Sequence, residues 1–161
     1  MSKSTLPRLK ALRDEMGKAG ITAFIIPGTD PHQSEYYASH WAARTWISGF
    51  DGSAGTAVVT TNQAGLWTDS RYFLQAAQQL EDSGFELFKE GLPDTPTIEQ
   101  WLLTTLPQGA TIAIDGTLFG ASKAAAMKQN FESHGFRFVS DFTPFDSIWE
   151  KRPSIPKNEA F

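Results

Sequence analysis

The sequence predicts an α/β fold, with a mixed sheet held between helix layers. Three observations predict it. Short apolar or alternating runs recur at 23–26, 56–60, 64–68, 85–88, 111–114 and 136–139. Segments whose apolar residues fall three and four apart separate most of these runs. Two of the runs, 56–60 and 64–68, face each other across a short link around Asn62, as a hairpin does.

Each element has its own signal. Ser4 or Thr5 can cap a first helix, whose stripe is Leu6, Leu9, Leu12 and Met16. Pro7 is tolerated in its first turn, and Gly17, Lys18 and Gly20 mark its end. Ala23, Phe24, Ile25 and Ile26 are continuously apolar, so this strand is expected to be covered on both faces. Residues 29–44 are polar and aromatic and read as a long loop, of the kind that often carries function, with a helical turn around 34–37. After the hairpin, Asp69 and Ser70 read as caps for a helix over 71–80. Thr97 caps the next helix, with Ile98, Trp101, Leu102 and Leu106 on one face. Ser122 can cap an alanine-rich helix reaching His134, with Met127 and Phe131 inward. A last helical turn is expected over 146–150.

The 161 residues suit one domain, expected over 1–150. Lys151 to Phe161 carries two prolines and mixed charge, and reads as the start of an interdomain linker to further domains. A chain of this length buries about 70% of its unfolded surface. Apolar residues are 40% and charged residues 20%, a globular balance. The net charge is -4 with no basic stripe, which argues against nucleic acid. Without cysteine there is no disulfide, thiolate metal site or cysteine nucleophile. No apolar run approaches the ~20 residues that span a bilayer. The first residues lack the apolar segment of a signal peptide, so a cytoplasmic location is expected.

The stretch from Trp46 to Thr56 organises the chain. Gly49, Gly52 and Gly55 read as a structural turn feeding the hairpin. They do not form a P-loop, because Thr56 stands where lysine is needed. Ser53 does not sit in a hydrolase elbow, because position 51 is aspartate rather than glycine. Asp30, His32 and Glu35 could suggest a metal group, but no second cluster completes a site, and a hydrogen-bonded loop is the reading. Asp94 and Glu99 suit a loop and a helix N-terminus, and His134 suits a helix C-terminus. Trp101 reads as core. Arg71 at a helix start opposes the dipole and calls for an acidic or carbonyl partner, with Asp51 and Asp69 nearest in sequence. No catalytic residue and no metal ligand set emerges.

Phe50-Asp51-Gly52-Ser53-Ala54-Gly55-Thr56 followed by Leu66-Trp67-Thr68-Asp69-Ser70-Arg71-Tyr72-Phe73 resembles the first domain of Xaa-Pro aminopeptidases, the creatinase/prolidase N-terminal domain. His32-Gln33-Ser34-Glu35-Tyr36, Gly91-Leu92-Pro93-Asp94-Thr95-Pro96-Thr97 and Ile148-Trp149 before Arg152-Pro153 extend the resemblance over about 6–156. Ser70 departs from it, since glycine is expected there in many relatives. The resemblance implies a three-layer, ribonuclease H-like α/β/α fold. It implies a parent enzyme in which two non-catalytic domains precede a "pita-bread" domain. That third domain holds two divalent ions, manganese or zinc, on Asp, Glu and His. It hydrolyses the bond before a penultimate proline with metal-activated water. No cofactor is then expected in this chain. The implied partners are the downstream domains, a second copy in a homodimer, and peptides with proline second. Arg71, with Asp51 or His32, is the candidate group facing the substrate approach. A different expectation for the same fold is a stand-alone peptide- or protein-binding module without peptidase activity.

Overall fold

The computed structural model describes residues 5–28, 43–52 and 55–149. Residues 29–42, most of the loop expected at 29–44, with His32 and the helical turn expected at 34–37, lie outside them, as do Ser4, Ser53 and the expected linker at 151–161.

Six strands form one mixed sheet in the order β4-β3-β2-β1-β5-β6. They are β1 (Ala23–Pro27), β2 (Thr56–Thr60), β3 (Ala64–Thr68), β4 (Glu86–Lys89), β5 (Thr111–Ala113) and β6 (Arg137–Val139). β1 to β2 and β2 to β3 are antiparallel, with Phe24 opposite Val59 and Val58 opposite Gly65. The pairs β1–β5, β3–β4 and β5–β6 are parallel. The hairpin link is held by Thr60, whose hydroxyl accepts the Gln63 amide at 2.9 Å.

Alternation along the strands feeds two cores. Phe24, Ile26, Val59 and Leu66 face α1 (Thr5–Ala19), α2 (Ala43–Ser48), α3 (Phe73–Gln79) and α6 (Phe145–Ile148). Ala23, Ile25, Val58, Trp67 and Ile112 face α4 (Ile98–Thr105) and α5 (Ala121–Ser133). The fold is therefore three-layer α/β/α, and β1 is covered on both faces. Trp67 stacks on Phe88 at 4.1 Å between ring centres, and Trp101 meets both edge-on, so Trp101 is core.

Several local expectations shift. Leu6 is half exposed, and Thr5 takes the buried place, donating its hydroxyl to the Ser83 carbonyl at 2.7 Å. α2 was expected as loop and turn. The expected helix at 71–80 divides into a 3-10 turn, Ser70–Tyr72, and α3. Thr97 does close a capping box with Gln100. α5 starts one residue before Ser122, after Gly120, with no side-chain cap. His134 caps the C-terminal end of α5, its Nδ1 2.8 Å from the Asn130 carbonyl.

Candidate functional site

The glycine turn is built around a buried arginine. α2 ends at Ser48, whose hydroxyl donates to the Arg44 carbonyl at 2.7 Å and accepts the Phe50 amide at 3.1 Å. This turns the chain and drives Phe50 fully into the core. Arg44 is 1% exposed. Its guanidinium donates to the Gly55 carbonyl at 3.0 Å and to the Gly52 carbonyl, and lies 5.1 Å from the Phe50 ring centre. A buried charge is tolerated only when hydrogen bonds replace its hydration. Here the Gly52 and Gly55 carbonyls of the turn do so.

The three glycines have distinct duties within this turn. Gly49 lies at φ +83. A side chain at Gly52 would run into the Phe50 ring and come within 2.9 Å of Tyr72 Cδ1. Gly55 holds φ +152 with the Trp67 carbonyl 3.1 Å from where a Cβ would sit. Left-handed backbone and close approach are what glycine supplies.

Asp51 and Arg71 do not pair with each other through any contact described. The Asp51 carboxylate accepts from Gln75 Nε2 at 2.7 Å and Gln79 Nε2 at 2.9 Å, one turn apart on α3. The Gln79 side-chain carbonyl accepts the Asp51 amide at 3.1 Å. Arg71 forks onto Asp69 instead, Nε to Oδ1 at 3.0 Å and Nη2 to Oδ2 at 2.9 Å. Asp69 also accepts the Arg71 amide at 3.0 Å, capping the 3-10 turn. Arg71 therefore sits in a single capped turn ahead of α3, so the helix-dipole objection to its charge does not arise. The Arg71 hydrogen bond holds the Asp69 carboxyl below the usual carboxylate range. Tyr72 links the two halves, its ring 5.9 Å from Phe50 and 5.1 Å from the Arg71 guanidinium carbon. The outcome is an exposed arginine oriented by Asp69 beside the glycine turn. Beyond it, Glu90 follows β4, and burial with the nearby Asp69 charge pushes its carboxyl up.

His32 lies outside the described residues, so it is not placed in this group. Arg44 was missed by sequence reasoning. The available signal was its place in Ala43-Arg44-Thr45-Trp46-Ile47-Ser48, four residues from Ser48 and three from Ile47. Among the described residues no three His, Cys, Asp or Glu side chains converge to hold a metal ion.

Residues 8–151 match the family described as the creatinase/prolidase N-terminal domain. The chain belongs to that family. As a creatinase/prolidase N-terminal domain it is 44% identical over 160 residues to a probable Xaa-Pro aminopeptidase P of Laccaria bicolor, covering 98% of this chain and 25% of that protein. It is 48% identical over 167 residues to the Xaa-Pro aminopeptidase ApepP of Drosophila melanogaster, covering 99% and 27%. Among solved structures it resembles the X-prolyl aminopeptidase of Caenorhabditis elegans, described as a cytosolic enzyme with a di-nuclear active site. That likeness has a TM-score of 0.80 at 35% identity, over 84% of this chain and 22% of that one. The N-terminal domain of the cytoplasmic peptidase PepQ from Mycobacterium tuberculosis shares the fold, with a TM-score of 0.64 at 21% identity, over 88% of this chain and 98% of that one. The domain spans about a quarter of the length of the curated relatives it matches.

Proposed function

We propose that this domain is the non-catalytic first part of a metal-dependent Xaa-Pro aminopeptidase that releases the N-terminal residue from peptides with proline second. The observation that carries this reading is a match along nearly the whole chain to proteins named Xaa-Pro aminopeptidases, of which it spans only a quarter. The catalytic chemistry then belongs to the remaining three quarters of the parent. The di-nuclear site described for the worm relative supports a two-metal centre there, and manganese or zinc is the assignment proposed for it.

Within that parent the domain walls the substrate approach and contributes to the contact of a homodimer. Arg71 and Asp51 are the residues assigned to the approach. Support comes from their exposure and from the partners that orient each: Asp69 for Arg71, and Gln75 with Gln79 for Asp51. An anchored guanidinium can donate to a peptide carbonyl without a large entropic cost of ordering. The parent is assigned to the cytoplasm, as the worm relative is.

The test is to assay the full-length parent on an Arg-Pro-Pro peptide, with and without a chelator, beside the 161-residue chain alone. Proline-dependent release by the parent that the chelator abolishes, with none from the chain alone, is the expected result. Turnover that follows the purified chain overturns the non-catalytic assignment. A parent without release overturns the peptidase reading.

A further inference from the structure

A pocket of about 350 Å³ opens at the carboxyl end of β1, on the α4 and α5 side of the sheet. None of the residues assigned to the substrate approach lines it. Its sheet side is formed by β1 and β2, where Pro27 at the end of β1 pairs with Thr56 at the start of β2, and the start of α4 with α5 closes its sides. The volume falls within the range of small-ligand sites.

The lining has two chemistries. Ile25, Ile98, Phe119 and Met127 make an apolar floor. Ile25 and Met127 are buried in the core of that face, and Ile98 and Phe119 pack against it, so the floor is held in place. Glu99 and Lys123 stand at the rim. Glu99 is fixed by the Asn130 amide at 2.6 Å, and its carboxylate accepts. Lys123 lies 5.7 Å from the Phe119 ring centre, and its ammonium only donates. Opposite charges on one rim select neither an anion nor a cation. They match a backbone, which offers N–H and C=O groups in alternation beside an apolar side chain.

We propose that this pocket binds a short uncharged peptide segment. One apolar side chain enters the floor, Glu99 accepts a backbone N–H, and Lys123 donates to a carbonyl. The site goes beyond the approach assigned to Arg71 and Asp51, and it stands or falls without reference to the parent's activity.

The test is isothermal titration of the 161-residue chain with the tripeptide Ala-Leu-Ala, acetylated and amidated to remove its charges. Saturable binding is expected, with Ala-Asp-Ala in the same capped form at least about tenfold weaker because it strands a charge on the apolar floor. Ile98→Trp fills the floor and abolishes binding. Lys123→Glu, at an exposed position, weakens it several-fold. Absence of saturation at millimolar peptide, equal affinity for the aspartate peptide, or unchanged affinity in Lys123→Glu each overturns the proposal. If Ile98→Trp does not fold, the other two comparisons decide. Because catalysis is not measured, a failed titration leaves the peptidase reading untouched.

Discussion

Arg44 lies beneath the glycine turn and donates to the Gly55 carbonyl at 3.0 Å, holding the entry to the β2–β3 hairpin from inside the core. Replacing it removes a charged donor and strands the carbonyls it served. Arg44→Met keeps much of the stem, yet is expected to lower stability by about 1.5–3 kcal/mol. Arg44→Lys retains charge but not the planar fork, and falls between. Urea unfolding of both variants checks this. Wild-type midpoints would mean that the turn holds itself without the arginine.

Gly52 and Gly55 are expected to resist any side chain, for different reasons. Valine at 52 must displace the Phe50 and Tyr72 rings, and at 55 it must adopt φ +152 against the Trp67 carbonyl. Each substitution should cost on the order of 1–3 kcal/mol. Thermal melting of Gly52→Val and Gly55→Val reads the effect directly, and unaltered melting in both sinks the structural role of the turn.

Arg71→Ala separates folding from function. Its pair with Asp69 is exposed, and solvent screens such pairs. Melting of the isolated chain is therefore expected to stay nearly unchanged at neutral pH. The Asp69 carboxyl is depressed in the folded state, so whatever the pair contributes is present above the ordinary aspartate range and is lost as pH falls through the lower folded value. In the full-length parent the same variant should reduce kcat/KM on longer peptides. Wild-type kinetics there would remove Arg71 from the substrate approach.

Glu90 carries the opposite sign. Its folded carboxyl is raised, first by burial and then by the Asp69 charge, with Lys123 opposing. The folded state therefore binds its proton more readily than the unfolded chain does. Stability falls as pH rises from the ordinary glutamate range through the raised value. Glu90 is exposed and solvent screens its charge, so Glu90→Gln is expected to unfold at only slightly higher denaturant than wild type at pH 7. The gain should vanish in acid below the ordinary range. Denaturation midpoints at several pH values give the answer, and a destabilised variant at neutral pH reverses the assignment.

Much of this fold was legible in the sequence because its signals are local. Continuous apolarity at 23–26 marked a strand covered on both faces, and Phe24 and Ile25 indeed enter opposite cores. Thr97 and Gln100 stand at capping-box spacing, and the box forms. The separated motifs also carried the family, since residue order survives without coordinates. The site was less legible. Asp51 and Asp69 were equal candidates for Arg71 in sequence, and only the 3-10 turn at Ser70–Tyr72 brings Asp69 onto the fork while α3 offers its glutamines to Asp51. α2 escaped notice because Thr45, Trp46 and Ile47 are weak helix formers, and tertiary burial of Ile47 and Arg44 overrides that preference. The sequence by itself determined the six strands and the helices other than α2, because burial period and capping act over a few residues. The tertiary structure decided which charge meets which partner, because Arg44 finds its carbonyls and Asp51 its amides only when α2, the glycine turn and α3 converge on one face of the sheet.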